Sequence, residues 1–219
     1  MTASTGIDLG SAVAAEFLAL AEVLDGLPNA GWDTSSLCEG WRVREVVAHL
    51  TMPVRYPPEA FRAELRDCGG DFTRLSNRIA SRDAALPTDV LVGGLRDETM
   101  HRWVPPGGGP IGALNHVVIH ALDVTVPLGL SCQSPEETLR AVLDDLTQGG
   151  THAHFGVALT GLSLRATDMH WSFGSGTPIT SAAADLALLL CARTLPGSTA
   201  RFREAGVIGS PSSADNPSG

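Results

Sequence analysis

Lysine is missing from this chain: all 15 basic residues among its 219 are arginine. That absence excludes a Walker A lysine, a lysine Schiff base and a pyridoxal-phosphate linkage. It leaves Gly107-Gly-Gly-Pro110 as the turn before a helix rather than a phosphate loop. The 15 basic residues face 24 acidic ones, for a net charge of −9. No phosphate-neutralising face is expected, which argues against a nucleic-acid partner. Cysteine is scarce. Cys38, Cys68, Cys132 and Cys191 lie far apart, and without a Cys-x-x-Cys pair there is no thiolate zinc knuckle. Long apolar runs are absent too. The longest, Ala182–Ala192, is broken by Asp185 and is too short to span a membrane. The N-terminus shows neither the basic region nor the apolar core of a signal peptide. The expectation is a cytoplasmic protein with reduced thiols.

What the chain does have is a histidine pattern. His116 and His120 sit four residues apart in the apolar segment Ile111–Leu130, and that spacing stacks side chains on one helix face. At roughly 100° per residue, Ile111, Leu114, Val118, Leu122 and Thr125 form one stripe, and His116, His120 and Asp123 fall nearly opposite. The segment contains neither Arg nor Glu, so its polar face is expected to turn inward, where it needs partners. His49 lies in Trp41–Leu50, roughly 120° from the centre of the stripe Val43, Val46, Val47, Leu50 and Val54. That is a poor position for a packed core histidine. Two imidazoles from one helix and one from another make a three-ligand set with an open fourth position, the usual arrangement of catalytic zinc.

The periodicity divides the chain in two. Helices are expected over about 9–27, 41–66 (bent near Pro53 and Pro57-Pro58), 73–85, 88–103 and 111–129, with another capped by Ser134-Pro-Glu-Glu137. After about residue 150 the pattern alternates. Leu162–Ala166, His170–Phe173 and Pro178–Thr180 read as short strands, Gly174-Ser-Gly176 as a turn and Ala182–Arg193 as an apolar helix. The expected organisation is a helical bundle over 1–150, a small α/β subdomain over 151–205 with a short antiparallel sheet, and a disordered Ser/Pro/Gly-rich tail over 206–219.

Two motifs carry a resemblance. Leu37-Cys-Glu-Gly-Trp-Arg-Val-Arg-Glu-Val-Val-Ala-His-Leu50 resembles the N-terminal motif of the mycothiol-dependent maleylpyruvate isomerase family, one of the DinB-like metal-binding four-helix bundles. Leu114–Asp123, followed by Pro127-Leu-Gly129, resembles its second ligand motif. Asn77–Arg82 is similar to the family's Asn…Arg stretch, and 164–176 with 182–193 to its C-terminal signature. The resemblance covers most of 8–195. It implies a mainly α fold, a DinB-like four-helix bundle followed by a small C-terminal α/β subdomain. It also implies a divalent metal, Zn2+ first, on His49, His116 and His120, and mycothiol as co-substrate. One position departs: the isomerase proper carries a glutamate where this chain has His116. The all-histidine trio looks more like that of DinB-like thiol transferases.

The chemistry expected is attack by a metal-activated small thiol on a small electrophile, as thiol S-transfer or isomerisation. Asp123 is a candidate to orient an imidazole or act as a base, and Arg82 and Arg193 are candidates to hold an anionic substrate. Cys38, flanked by Leu37 and Glu39, has no local cue for an activated thiolate. A zincin is disfavoured because His116–His120 lacks the motif's glutamate, and no serine has a nucleophile-elbow context. The alternative is a non-enzymatic metal- or ligand-binding bundle that senses or sequesters. No nucleic-acid or membrane partner is expected; a homodimer is compatible with either reading.

Overall fold

The computed structural model describes residues 6–150 and 155–195. It is mainly helical, with helices α1 (Leu9–Asp25), α2 (Asn29–Trp32), α3 (Val43–Leu50), α4 (Met52–Arg55), α5 (Pro58–Asp67), α6 (Phe72–Asp83), α7 (Thr88–Leu95), α8 (Glu98–Arg102), α9 (Gly109–Thr125) and α10 (Glu136–Asp145). A π-helical turn over Leu146–Gly150 follows, then strands β1 (Leu164–Ala166), β2 (Ser172–Phe173) and β3 (Ile179–Ser181), and helix α11 (Ala183–Leu190). The chain divides into two compact units, Met1–Val142 and Leu143–Gly219. The division runs through α10, upstream of the change in periodicity. The expected tail at 206–219 lies outside the described residues.

In the first unit, α3 packs against α6, α7 and α9, and α1 packs against α7, α8 and α9. The apolar stripe of α3 explains its central place: Val43, Val46, Val47, Ala48 and Leu50 are all fully buried. Glu45 accepts from the backbone N–H of Arg42 at 2.9 Å, closing the start of the helix,. The long helix expected over 41–66 is three helices. Thr51 ends the first, its hydroxyl turning back to the Val47 carbonyl at 2.7 Å. Pro53 lies in the first turn of α4, and Pro57-Pro58 open α5, where a missing N–H costs nothing. The expected 88–103 helix is likewise two, separated at Arg96-Asp97. Gly94 lets α7 approach α3: a Cβ there would lie 2.9 Å from the Cβ of Thr51. In α9, Leu114, Val117, Val118 and Leu122 are buried, so the helix offers an apolar side to the core and its histidine side to α3.

In the second unit the strand order is β2-β1-β3. The expected antiparallel pairing is present between β1 and β2, and β3 joins the other edge of β1 in parallel, with Leu164 opposite Ile179. The sheet is therefore mixed. Asp168 caps α11 by accepting from Ala183 N–H at 2.9 Å, and the Trp171 indole donates to Asp144 at 2.8 Å.

Candidate functional site

Helices α3 and α9 bring His49, His116 and His120 together. Nε2 of His49 lies 3.2 Å from Nε2 of His116. The ring centroids are 5.2 Å apart for His49–His116, 5.1 Å for His49–His120 and 4.9 Å for His116–His120. One nitrogen from each ring can be chosen so that all three lie within 4.8 Å of one another, a set that could hold a metal ion. The donors suit a tetrahedral ion: with Zn–N near 2.0–2.1 Å, two ligand nitrogens stand about 3.3 Å apart. His49 is only 6% exposed. Its angle away from the core stripe of α3 places it in this second, polar interior rather than in solvent.

Asp123 is also here, one turn beyond His120 and fully buried. Its Oδ2 accepts from Nδ1 of His120 at 2.9 Å. That bond sets the His120 tautomer and leaves Nε2 for the histidine cluster. By contrast, Nδ1 of His49 and Nδ1 of His116 are buried without a hydrogen-bond partner among the described residues, so packing holds those two rings. Trp41 stands 5.1 Å from His49, with its indole N–H held by Asn77 Oδ1 at 2.9 Å. Trp103 stands 5.1 Å from His116. Phe72, 51% exposed, lies 6.5 Å from the His49 ring.

Cys38 belongs to the site as well. Its Sγ is 3.0 Å from Asp123 Oδ2 and 3.7 Å from His120 Nδ1. Its immediate sequence neighbours gave no hint of this, because the partners come from the far end of α9. Neither Trp41 nor Trp103 was marked by charge or spacing; for Trp41 the clue is that it shares the Leu37–Leu50 motif with His49.

The two arginines are placed differently. Arg82 lies over the Tyr56 ring at 5.3 Å and hydrogen-bonds to its hydroxyl. It also pairs with Glu64 and Asp83, each at 3.2 Å. Glu64 and Asp83 also pair with Arg78 and Arg55, so three guanidiniums share two carboxylates. Arg193 is in the second unit, where its guanidinium donates to the Cys191 carbonyl at 3.4 Å.

Burial pushes the His49 pKa down to about 3, helped by the neighbouring His120 and opposed by Asp123. Burial, then His120 and His49, pushes His116 well below the ordinary histidine range. Both rings are therefore neutral at pH 7, with lone pairs available to an ion. The linkage has a definite sign. The unfolded chain takes up the His49 proton near pH 6.5, and the folded chain does not until near pH 3. The stability of the metal-free protein should fall as pH drops below 6.5, by about 2 kcal/mol from His49 between pH 7 and pH 5, with His116 acting in the same direction,. Urea melts at the two pH values check this. A His49→Asn variant should lose less, and an unchanged slope in that variant would show that His49 is not the source.

The family described as "Mycothiol maleylpyruvate isomerase N-terminal domain" matches residues 13–102. The crystal structure of a mycothiol-dependent maleylpyruvate isomerase shares the fold with a TM-score of 0.55 and 17% identity, covering 84% of this chain and 87% of that one. The structure of a histidine-to-alanine mutant of that enzyme aligns over the same shares at 17% identity, with a TM-score of 0.54. At this identity the likeness is one of fold, a DinB-like bundle with a small mixed sheet. No curated protein matches the chain. The family match contains Cys38, Trp41, His49, Asn77 and Trp32 but stops before α9, so His116, His120 and Asp123 stand on geometry. Over residues 13–102 the chain is similar to the mycothiol maleylpyruvate isomerase N-terminal domain.

Proposed function

We propose that this protein is a metal-dependent enzyme that uses mycothiol to convert a small electrophile, by isomerase-like or S-transfer chemistry. The observation that carries the reading is the convergence of His49, His116 and His120, with His120 oriented by a buried carboxylate. His49, His116 and His120 are the proposed ligands, and Zn2+ suits three neutral imidazoles. When bound, such an ion keeps its full charge, lowers the pKa of a bound thiol and holds it as the thiolate. The relative's thiol dependence and its substrate, maleylpyruvate, come to this chain as part of the proposal.

The chain's own residues have separable tasks. Asp123 keeps His120 in one tautomer and orientation; with Oδ2 already accepting from two donors, orientation suits it better than proton abstraction. Trp41, Trp103 and Phe72 wall the histidines and restrict water around a reacting thiol. Arg82 is a proposed candidate for an anionic substrate group, because it shares Glu64 and Asp83 with Arg78 and Arg55, and three guanidiniums there face two carboxylates. In isomerisation, sulfur adds to an activated double bond, the bond rotates, and elimination of the same sulfur restores the double bond. In transfer, sulfur stays on the product and a leaving group departs.

The test is an assay of zinc-loaded protein with mycothiol and two substrate types, a cis-enone diacid such as maleylpyruvate and a halide or epoxide electrophile. Turnover of either should require the thiol and stop on chelation. Thiol recovered unchanged identifies isomerisation; thiol consumed identifies transfer. Metal bound at full stoichiometry with no conversion of either would replace the enzymatic reading with a binding one.

A further inference from the structure

We propose that Cys38 is a positioning residue, whose thiol holds the Asp123 carboxylate in the orientation that in turn fixes the His120 ring. The proposal rests on the reading of His120 as a metal ligand.

Three observations support it. First, Asp123 is fully buried, and a buried carboxylate needs donors. Cys38 and His120 both supply one to Oδ2, at 3.0 and 2.9 Å. Second, Cys38 is held on a fixed loop. Its N–H donates to Ser36 Oγ at 3.1 Å, and Ser36 Oγ donates to the Trp41 carbonyl at 2.8 Å. The Cys38 carbonyl accepts from Trp41 N–H at 3.0 Å, and Leu37 N–H donates to the Asp123 carbonyl at 3.1 Å. Gly40, at φ 76°, makes the turn, a conformation that suits glycine. One loop thus places a thiol on the Asp123–His120 pair and an indole beside His49. Third, among the described residues His120 is the one ring of the three whose Nδ1 has an acceptor, since Nδ1 of His49 and of His116 have none. The orientation of the set by hydrogen bonds therefore runs through Asp123.

A rival arrangement is an ion held by Cys38, His120 and Asp123 themselves, whose donor atoms also lie within 4.8 Å of one another. The distances decide against it. Ligand atoms on a tetrahedral zinc stand about 3.3–3.6 Å apart, whereas Asp123 lies 2.9 Å from His120 and 3.0 Å from Cys38. Those are hydrogen-bond lengths.

The experiment uses the full chain with 15N-labelled histidine. In the metal-free protein, the His120 Nδ1–H should be seen hydrogen-bonded to the Asp123 carboxylate. Cys38→Ala should shift the His120 Nδ1 resonance and speed exchange of its proton while leaving the His49 and His116 signals unchanged, and should weaken zinc binding, measured by chelator competition, by about tenfold. Cys38→Ser, which keeps a donor, should restore affinity to within about threefold. Should the alanine variant not fold, Cys38→Ser and Asp123→Asn carry the test. Asp123→Asn should lose at least as much affinity, and adding Cys38→Ser to it should cost nothing further. An unaltered His120 signal and affinity in Cys38→Ala would overturn the proposal. So would a thiolate-to-cobalt absorption band in the Co2+-loaded protein that vanishes with Cys38, because it would put the sulfur on the metal. Wild-type protein that binds no zinc would remove the metal reading, and the His120 Nδ1–H signal of the metal-free protein would still decide the role of Cys38.

Discussion

Replacing His120 by alanine should abolish stoichiometric metal binding and, with it, thiol-dependent turnover. The substitution removes the ring that links the two halves of the site, one side facing His49 and His116 and the other held by Asp123. Two imidazoles are too few for a tight tetrahedral site. The loss of affinity should exceed the roughly 100-fold that follows from losing an outer-shell partner. The helix itself should survive, because alanine is the best helix former and the apolar side of α9 is untouched. Elemental analysis reads the metal and circular dichroism the helix content. Full metal content in a folded His120→Ala protein would end the assignment of His120 as a ligand. His49→Ala makes the same demand from α3.

Gly174→Ala should open the second unit. Gly174 has φ 73°, and a Cβ there would sit 1.9 Å from the backbone carbonyl oxygen of Leu162. Neither atom is the end of a flexible side chain, so the backbone must move. Leu162 leads directly into β1, the central strand, and the displacement would reach the pairings to both β2 and β3. Strain of this kind costs about 3 kcal/mol. That corresponds to amide exchange about 100-fold faster in the sheet, read at Ile179 N–H bonded to Ser163 and Thr167 N–H bonded to Ser181. Gly176→Ala separates the causes. That position also has a positive φ, 106°, but open space around it, so it should show only the smaller conformational cost. Equal effects at both positions would mean that the close approach to Leu162 is not what matters.

The parts legible in the sequence are those set by local geometry. The four-residue spacing of His116 and His120 is enough to place them on one face of α9, and the missing Arg and Glu show which way that face turns. His49 shows where such reasoning stops. Its angle on α3 correctly takes it off the apolar stripe, but the angle cannot tell solvent from a second, polar interior made with α9. Cys38 is harder still, because its partners His120 and Asp123 lie on α9, and no pattern in the surrounding residues carries that distance. The breaks at Thr51 and at Arg96-Asp97 escape periodicity for a different reason. The apolar spacing continues across them while side-chain and proline chemistry end the helix. In the second unit, the strands and the turn at Gly174-Ser-Gly176 are visible, but alternation does not encode which edge of β1 receives β3. A turn of that kind favours a hairpin, and the chain instead crosses to lie parallel.

The two indoles beside the histidines give the protein a built-in optical probe. Of its four tryptophans, Trp41 and Trp103 each stand 5.1 Å from an imidazole of the cluster. Excited-state quenching by an imidazole or a ligated ion acts over a few ångströms, so emission from this pair reports what the histidines hold. Occupancy of the cluster can thus be followed in the unlabelled chain, and Trp41→Phe and Trp103→Phe variants would divide the signal between the α3 side and the α9 side.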